Sequence, residues 1–148
     1  MSFAFSAVAV APDPEPRLRV LVADDHPTNR AVLEMILRVV GAEVISVADG
    51  AQALERFKAQ PFDLVLMDVQ MPVMDGLSAI RAIRAFEAEH GAWRTPVHVV
   101  STNALPEDCH RSLAAGADGH INKPVEAPAL LSVVMAAVES RGVRTARA

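Results

Sequence analysis

The sequence predicts an α/β fold, a doubly wound parallel sheet held between two layers of helices, and three observations carry that expectation. Short apolar runs alternate with stretches whose apolar residues recur at helical spacing, the order that builds a parallel sheet through right-handed crossovers. The middle run, Leu64-Val65-Leu66-Met67, is apolar at every position, as in a strand buried on both faces. Polar side chains follow the first, third, fourth and fifth runs, at the carboxyl edge where open α/β sheets bind ligands.

The elements follow in order. Leu18 to Ala23 is the first strand, ending on Asp24-Asp25, and His26-Pro27-Thr28-Asn29 turns into a helix over roughly 29–40. In that helix Val32, Leu33, Ile36, Leu37 and Val40 share a face, and Gly41 stops it. Val44 to Val47 is the second strand, and Asp49-Gly50 turns into a helix with Ala53, Leu54 and Phe57 as its apolar stripe. The central strand ends at Asp68, with Pro72, Asp75 and Gly76 shaping the loop after it. Leu77, Ile80, Ile83 and Phe86 line a third helix that fades across Glu87-Ala88-Glu89-His90-Gly91, and Trp93 lies in the following loop. Val97 to Val100 is the fourth strand, ending on Ser101-Thr102-Asn103, and Pro106 opens a helix that finishes at Gly116. A short strand at Gly119 to Asn122 precedes Lys123-Pro124. Pro128 leads into the last helix, with Leu130, Leu131, Val134 and Val138 at helical spacing.

At 148 residues, 51% hydrophobic and 22% charged, the chain has globular composition and is about one domain long. The net charge of -4 leaves no basic footprint for nucleic acid. A single Cys109 and the absence of zinc-ligand spacing make a reducing, cytoplasmic setting the default. No apolar run reaches the roughly 18 residues of a membrane span. Residues 1–11 resemble a signal-peptide core, but no Lys or Arg precedes them. Pro12-Asp13-Pro14-Glu15-Pro16 is a stiff extended linker. The expected division is an extension and linker over 1–16, the domain over 17–139, and a disordered basic tail over 140–148.

Parallel strands bring Asp24, Asp25, Asp68, Ser101, Thr102 and Lys123 to one edge. Each has an ordinary explanation alone, as a helix cap, a turn residue or a solvated charge. Together they suit one chemistry. Gathered carboxylates repel and are driven toward protonation unless a cation neutralises them, and Lys123 alone is too little charge. Magnesium fits, because it takes one or two carboxylates, keeps waters and bridges to phosphate oxygens. A carboxylate can attack phosphorus to give an aspartyl phosphate, and the transferred group needs mainly positioning and charge neutralisation. Magnesium would take one phosphoryl oxygen, Lys123 a second and the Ser101 hydroxyl the third. His26 and Asn29 could be read as metal ligands, but a hard cation prefers oxygen, so surface or capping roles are expected.

Asp24-Asp25, then Met67-Asp68-Val69-Gln70-Met71-Pro72-Val73-Met74-Asp75-Gly76, then Ser101-Thr102-Asn103-Ala104, then Lys123-Pro124 closely resemble the receiver domain of bacterial two-component response regulators. The resemblance covers roughly residues 19–138. It implies a flavodoxin-like (βα)5 sandwich with strand order 2-1-3-4-5 and a phosphorelay switch. Asp68 would accept a phosphoryl group from a phosphohistidine on a histidine kinase or histidine phosphotransfer protein. Asp25, Asp68 and the Gln70 backbone carbonyl would ligate Mg2+, with Asp24 acting through water. Lys123 and Ser101 would bind the phosphoryl group, the Lys123-Pro124 bond would be cis, and Ser101 with the residue at 120 would form the switch. Self-association through the fourth helix, fifth strand and fifth helix is a further expectation. The domain would catalyse its own phosphorylation and dephosphorylation while acting chiefly as a signalling switch.

Two positions depart from the family's usual pattern. His120 stands where Tyr or Phe is usual, so a weaker or pH-sensitive switch is one expectation and a simple exposed edge histidine the other. Thr102 stands where a small residue is usual and would narrow access to the site. Gln70, Thr102 and Asn103 would tune the lifetime of the phosphoryl group. A flavin site would need a phosphate-cradling loop where Asp24-Asp25 stand, and no Walker or Gly-x-Gly-x-x-Gly motif occurs. A phosphorylation-independent binding module is the alternative, although its usual sign, loss of an acid or the lysine, is absent. Ser2-Phe3-Ala4-Phe5 resembles the end of a histidine kinase ATP-binding domain, which suggests the C-terminal receiver of a hybrid kinase.

Overall fold

Every strand pairing in the sheet is parallel, in the order expected. Strand β1 (Arg19–Ala23) lies between β2 (Glu43–Val47) and β3 (Leu64–Asp68), β4 (Val97–Ser101) follows β3, and β5 (Gly119–Asn122) forms the far edge. The computed structural model describes residues 17–102 and 105–147. The readings made for the extension and linker over 1–16, for Asn103 and for residue 148 lie outside those residues.

The core divides at the sheet. Val65 and Met67 of β3 face α2 (Gly50–Ala59), α3 (Gly76–His90) and α4 (Pro106–Ala115), while Leu64 and Leu66 face α1 (Pro27–Val39) and α5 (Ala127–Arg147). Side chains alternate between faces at a period of two, so an uninterrupted apolar run serves both layers. All five residues of β3 are buried accordingly.

Helix starts follow local chemistry. Asp49 and Asp75 cap α2 and α3, accepting from the backbone N–H of Gln52 at 2.8 Å and Ser78 at 2.9 Å. Helix α1 begins two residues before Asn29, because Pro27 has the fixed φ that suits a first helical position. Leu33 and Leu37 are buried beneath it, but Val32 and Val40 are 38% and 43% exposed. The apolar face expected for α1 is therefore wider than the part that meets the sheet.

Two helix ends are corrected. Helix α3 does not fade at Glu87 but runs to His90 and closes on Gly91 at φ 60°. Glu87 is buried and paired with Arg84 at 2.8 Å, which keeps a charged residue inside the helix. The tail expected over 140–148 is helical through Arg147. No proline interrupts it, Arg141 lies 4.0 Å from Asp63, and basic residues suit a helix C-terminus. On α5, Leu130, Val134 and Ala137 face the core while Val138 turns outward.

The amino edge of the sheet is pinned by Arg84. Its guanidinium donates to the Gly116 carbonyl at 2.9 Å and to Glu87, the Thr95 carbonyl and Asp118 at 2.8 Å each. Glu87 in turn accepts from the Thr95 N–H at 2.7 Å, and Asp118 from the Val97 N–H at 2.9 Å. Nearby, Asp63 accepts from the Arg19 N–H at 2.8 Å. These contacts fix where β1, β4 and β5 begin and leave the opposite edge to the site.

Candidate functional site

Asp24 and Asp25 follow β1, Asp68 ends β3, Ser101 ends β4 and Lys123 follows β5, so the winding delivers each polar group to one rim. The Lys123 backbone N–H donates to the Ser101 carbonyl at 2.9 Å, and the Lys123-Pro124 bond is cis. The hydrogen bond holds the lysine beside the end of β4. Lys123 Nζ lies 3.1 Å from Asp24 Oδ2 and 3.5 Å from Asp68 Oδ1.

The carboxylates are close and mostly desolvated. Asp24 is 1% exposed and Asp68 6%, and oxygens of Asp24, Asp25 and Asp68 all lie within 4.8 Å of one another. Asp24 Oδ1 accepts from the His26 N–H at 2.9 Å, while the shielded Oδ2 meets the Lys123 ammonium outside hydrogen-bond geometry. Arg30 Nη1 donates to the Asp24 carbonyl at 2.6 Å, fixing the backbone of the acidic pair from the first turns of α1. Sequence reasoning missed Arg30, whose partner is a backbone carbonyl.

Burial pushes the Asp68 carboxyl above its ordinary value. Lys123 opposes that, Asp24 adds to it, and the Gln70 N–H, 3.4 Å from Asp68 Oδ1, offsets part of it. Net, the site penalises negative charge on Asp68. One ammonium against three carboxylates leaves a charge deficit that a divalent cation held by oxygen would fill. The residues present therefore fit magnesium.

The loop after β3 is held by close backbone contacts. Gly76 N–H donates to the Val69 carbonyl at 2.9 Å and Gly50 N–H to the Met74 carbonyl at 3.0 Å. Between them Val73 has φ 69°, a left-handed conformation unusual for a β-branched residue.

A cleft of ≈ 340 Å³ opens at this rim, lined by Asp25, His26, Asn29, Asp68, Gln70, Ser101, Thr102 and Lys123. The structure thus brings together the expected acids, Lys123, Ser101 and two of the tuning residues. His26 and Asn29 line the mouth, and His26 is the residue before α1, with no side-chain cap bond. Asp24 borders a smaller cavity behind Lys123, with Asn29, Leu33 and Val125. His120 does not line the cleft, and both its ring nitrogens are shielded and without a partner. It is not the exposed edge histidine of one expectation.

Comparison with known proteins agrees with this geometry. Residues 20–135 match the family model described as response regulator receiver domain. Sensor protein GacS of Pseudomonas syringae pv. syringae is 40% identical over 117 residues, which are 79% of this chain and 13% of GacS. The chain thus spans a small part of that relative. The crystal structure of the receiver domain of a Pseudomonas aeruginosa PAO1 sensor histidine kinase, with magnesium coordinated in its active site cleft, is 35% identical. It matches at TM-score 0.75 over 84% of this chain and 99% of that one. The receiver domain of Saccharomyces cerevisiae Ssk1, in co-crystals with the histidine phosphotransfer signaling protein Ypd1, belongs to a match at 27% identity. That match has TM-score 0.74 and covers 78% of this chain and 84% of the other.

Proposed function

The chain belongs to the response regulator receiver domain family, and we propose that Asp68 is its phosphoryl acceptor, with Lys123 and Ser101 binding the incoming phosphoryl oxygens. It is a phosphorelay receiver of the two-component type. Magnesium would be held by Asp25, Asp68 and the Gln70 backbone carbonyl, with Asp24 acting through water. When bound, it supplies positive charge to the phosphoryl oxygens and to the crowded acids.

An oxygen of the Asp68 carboxylate attacks the phosphorus of a phosphohistidine, and the O–P bond forms as the P–N bond breaks. The electron pair of the broken bond returns to the imidazole of the donor. Lys123 neutralises charge on one equatorial oxygen, and the Ser101 hydroxyl donates to another. Gln70 and Thr102 line the cleft and, together with Asn103, set the lifetime of the aspartyl phosphate. The observation that carries this reading is Lys123 Nζ at 3.1 Å from Asp24 and 3.5 Å from Asp68, one cation poised over nucleophile and metal acid together.

The donor is a histidine kinase or histidine phosphotransfer protein. The domain, whose last helix runs through Arg147, works in the cytoplasm as a receiver of a hybrid kinase. No helix among the described residues is long and apolar enough to cross a membrane. Exposed Leu105 before α4, Leu113 on α4 and Met135 on α5 support self-association through α4, β5 and α5.

Intact mass after incubation with magnesium and acetyl phosphate tests the chemistry. The wild type is expected to gain one phosphoryl group, and Asp68→Asn or magnesium-free protein none. No gain with either acetyl phosphate or a competent phosphohistidine donor would turn the reading to a phosphorylation-independent binding module.

A further inference from the structure

The amino edge of the sheet carries a groove that the receiver chemistry does not use. It measures ≈ 390 Å³ and lies where α2 and α3 end and β3 and β4 begin, with Phe57, Lys58, Pro61, Phe62, Phe86 and Trp93 in its lining. Its walls are aromatic. Phe57 stacks on Phe62 with ring centroids 6.5 Å apart and meets Phe86 edge-on at 6.0 Å, and Trp93 is 48% exposed. Lys58 is the charged residue of the lining, its ammonium 5.9 Å from the centre of the Phe86 ring, and no carboxylate stands among the described residues that line the groove. Aromatic walls suit a proline-rich extended segment, whose fixed φ leaves little entropy to lose on docking. A lone cation selects an acidic one.

A segment of that chemistry enters the domain beside the groove. Pro12-Asp13-Pro14-Glu15-Pro16 joins β1 through Arg17 and Leu18. Arg19, the first residue of β1, donates its backbone N–H to Asp63 at 2.8 Å, and its guanidinium reaches the carbonyl of the groove residue Pro61 at 3.4 Å. By the period of two, Arg19 shares the sheet face of Leu21 and Ala23, the face that α2 and α3 cover. Pro16 stands three residues before Arg19, at most roughly 11 Å along the chain. From there the five linker residues span about 12 Å at the rise of a polyproline helix. The tether also holds them near the groove at an effective concentration on the order of millimolar, so contacts too weak to retain a separate peptide suffice.

We propose that residues 12–16 dock in this groove, with proline rings against Trp93 and Phe86 and with Asp13 and Glu15 toward Lys58. The segment leading into the domain is then a strut clamped to the corner of α2 and α3, not a swivel.

Trp93 is the single tryptophan, and the chain has no tyrosine, so intrinsic fluorescence of the full chain reports on the groove without a label. Replacing residues 12–16 by a glycine-serine stretch of equal length is expected to shift Trp93 emission to the red and to raise its quenching by acrylamide. Asp13→Lys with Glu15→Lys should do the same, and adding Lys58→Glu to that pair should restore the protection, which a general loosening of the fold would not. In the wild type, NOEs are expected between the proline ring protons of residues 12–16 and the Trp93 indole. Absence of those NOEs, or unchanged quenching in either linker variant, overturns the inference. Protection that rises with protein concentration overturns it in favour of a second copy in the groove. An exposed wild-type Trp93 that only an added proline-rich acidic peptide protects overturns it in favour of a separate partner.

Discussion

Gly76 packs so closely against Asp68 that a β-carbon on it would lie 2.0 Å from the Asp68 carbonyl oxygen and 3.0 Å from the Val69 Cα. Both are backbone atoms, so neither can swing aside. Gly76→Ala is expected to destabilise by about 2–3 kcal/mol in urea unfolding and to slow phosphorylation of the displaced Asp68. Gly142→Ala, which meets nothing within 4 Å in α5, should instead gain about 0.5–1 kcal/mol.

Lys123 is the cation over the acidic cluster, and magnesium would compete with it for the same charge. Lys123→Gln is expected to bind magnesium several-fold more tightly by calorimetry. Phosphoryl transfer should nonetheless fall about a hundredfold or more, as when a transition-state donor is removed. Unchanged magnesium affinity would show that the lysine and the metal site are electrostatically independent.

Arg84 and Glu87 form a pair that is mostly out of solvent. Arg84→Met strands a buried carboxylate and is expected to cost about 3–5 kcal/mol. Adding Glu87→Met should recover part of that loss, because no charge is then left unpaired. Equal losses in the single and double variants, read from denaturant midpoints, would locate the effect in Arg84's bonds to Asp118 and the carbonyls.

Val73 holds its left-handed backbone with its side chain 84% exposed. Strain of this kind costs about 1–2 kcal/mol for a residue with a β-carbon. Val73→Gly is expected to recover about 1 kcal/mol by equilibrium unfolding, with phosphorylation of Asp68 retained.

His98 on β4 is half-buried beside Gly119, and burial holds its imidazole below the usual value, with Asp118 opposing. The folded state therefore binds this proton less readily than the unfolded state. Its contribution is full above about pH 6.5 and is lost as pH falls below that value toward the depressed folded one. Tm is expected to drop between pH 7.5 and 5.5 in wild type, and less in His98→Gln.

The strands were legible because β3 is apolar at Leu64, Val65, Leu66 and Met67 in succession, which suits only a strand covered on both sides. The site was legible for the same reason: parallel strands force the residues after them to one rim, so Asp24, Asp68, Ser101 and Lys123 could be gathered without coordinates. Periodicity overstated α1, where Val32 and Val40 follow the helical stripe but lie beyond the contact with the sheet. Glu87 looked like the frayed end of a helix, because its partners Arg84 and Thr95 are chosen by tertiary packing, to which a local pattern is blind. Arg30 escaped notice because its target is a backbone carbonyl, which leaves no mark in the sequence.

Asp63 meets both the first residue of β1 and, through Arg141, the far part of α5. Entry and exit of the polypeptide are therefore neighbours, on the side away from the cleft. A unit wired this way behaves like a plug on a two-stranded lead. Polypeptide can be joined before or after it without crossing the acidic rim, and its reacting face stays presented to whatever docks there.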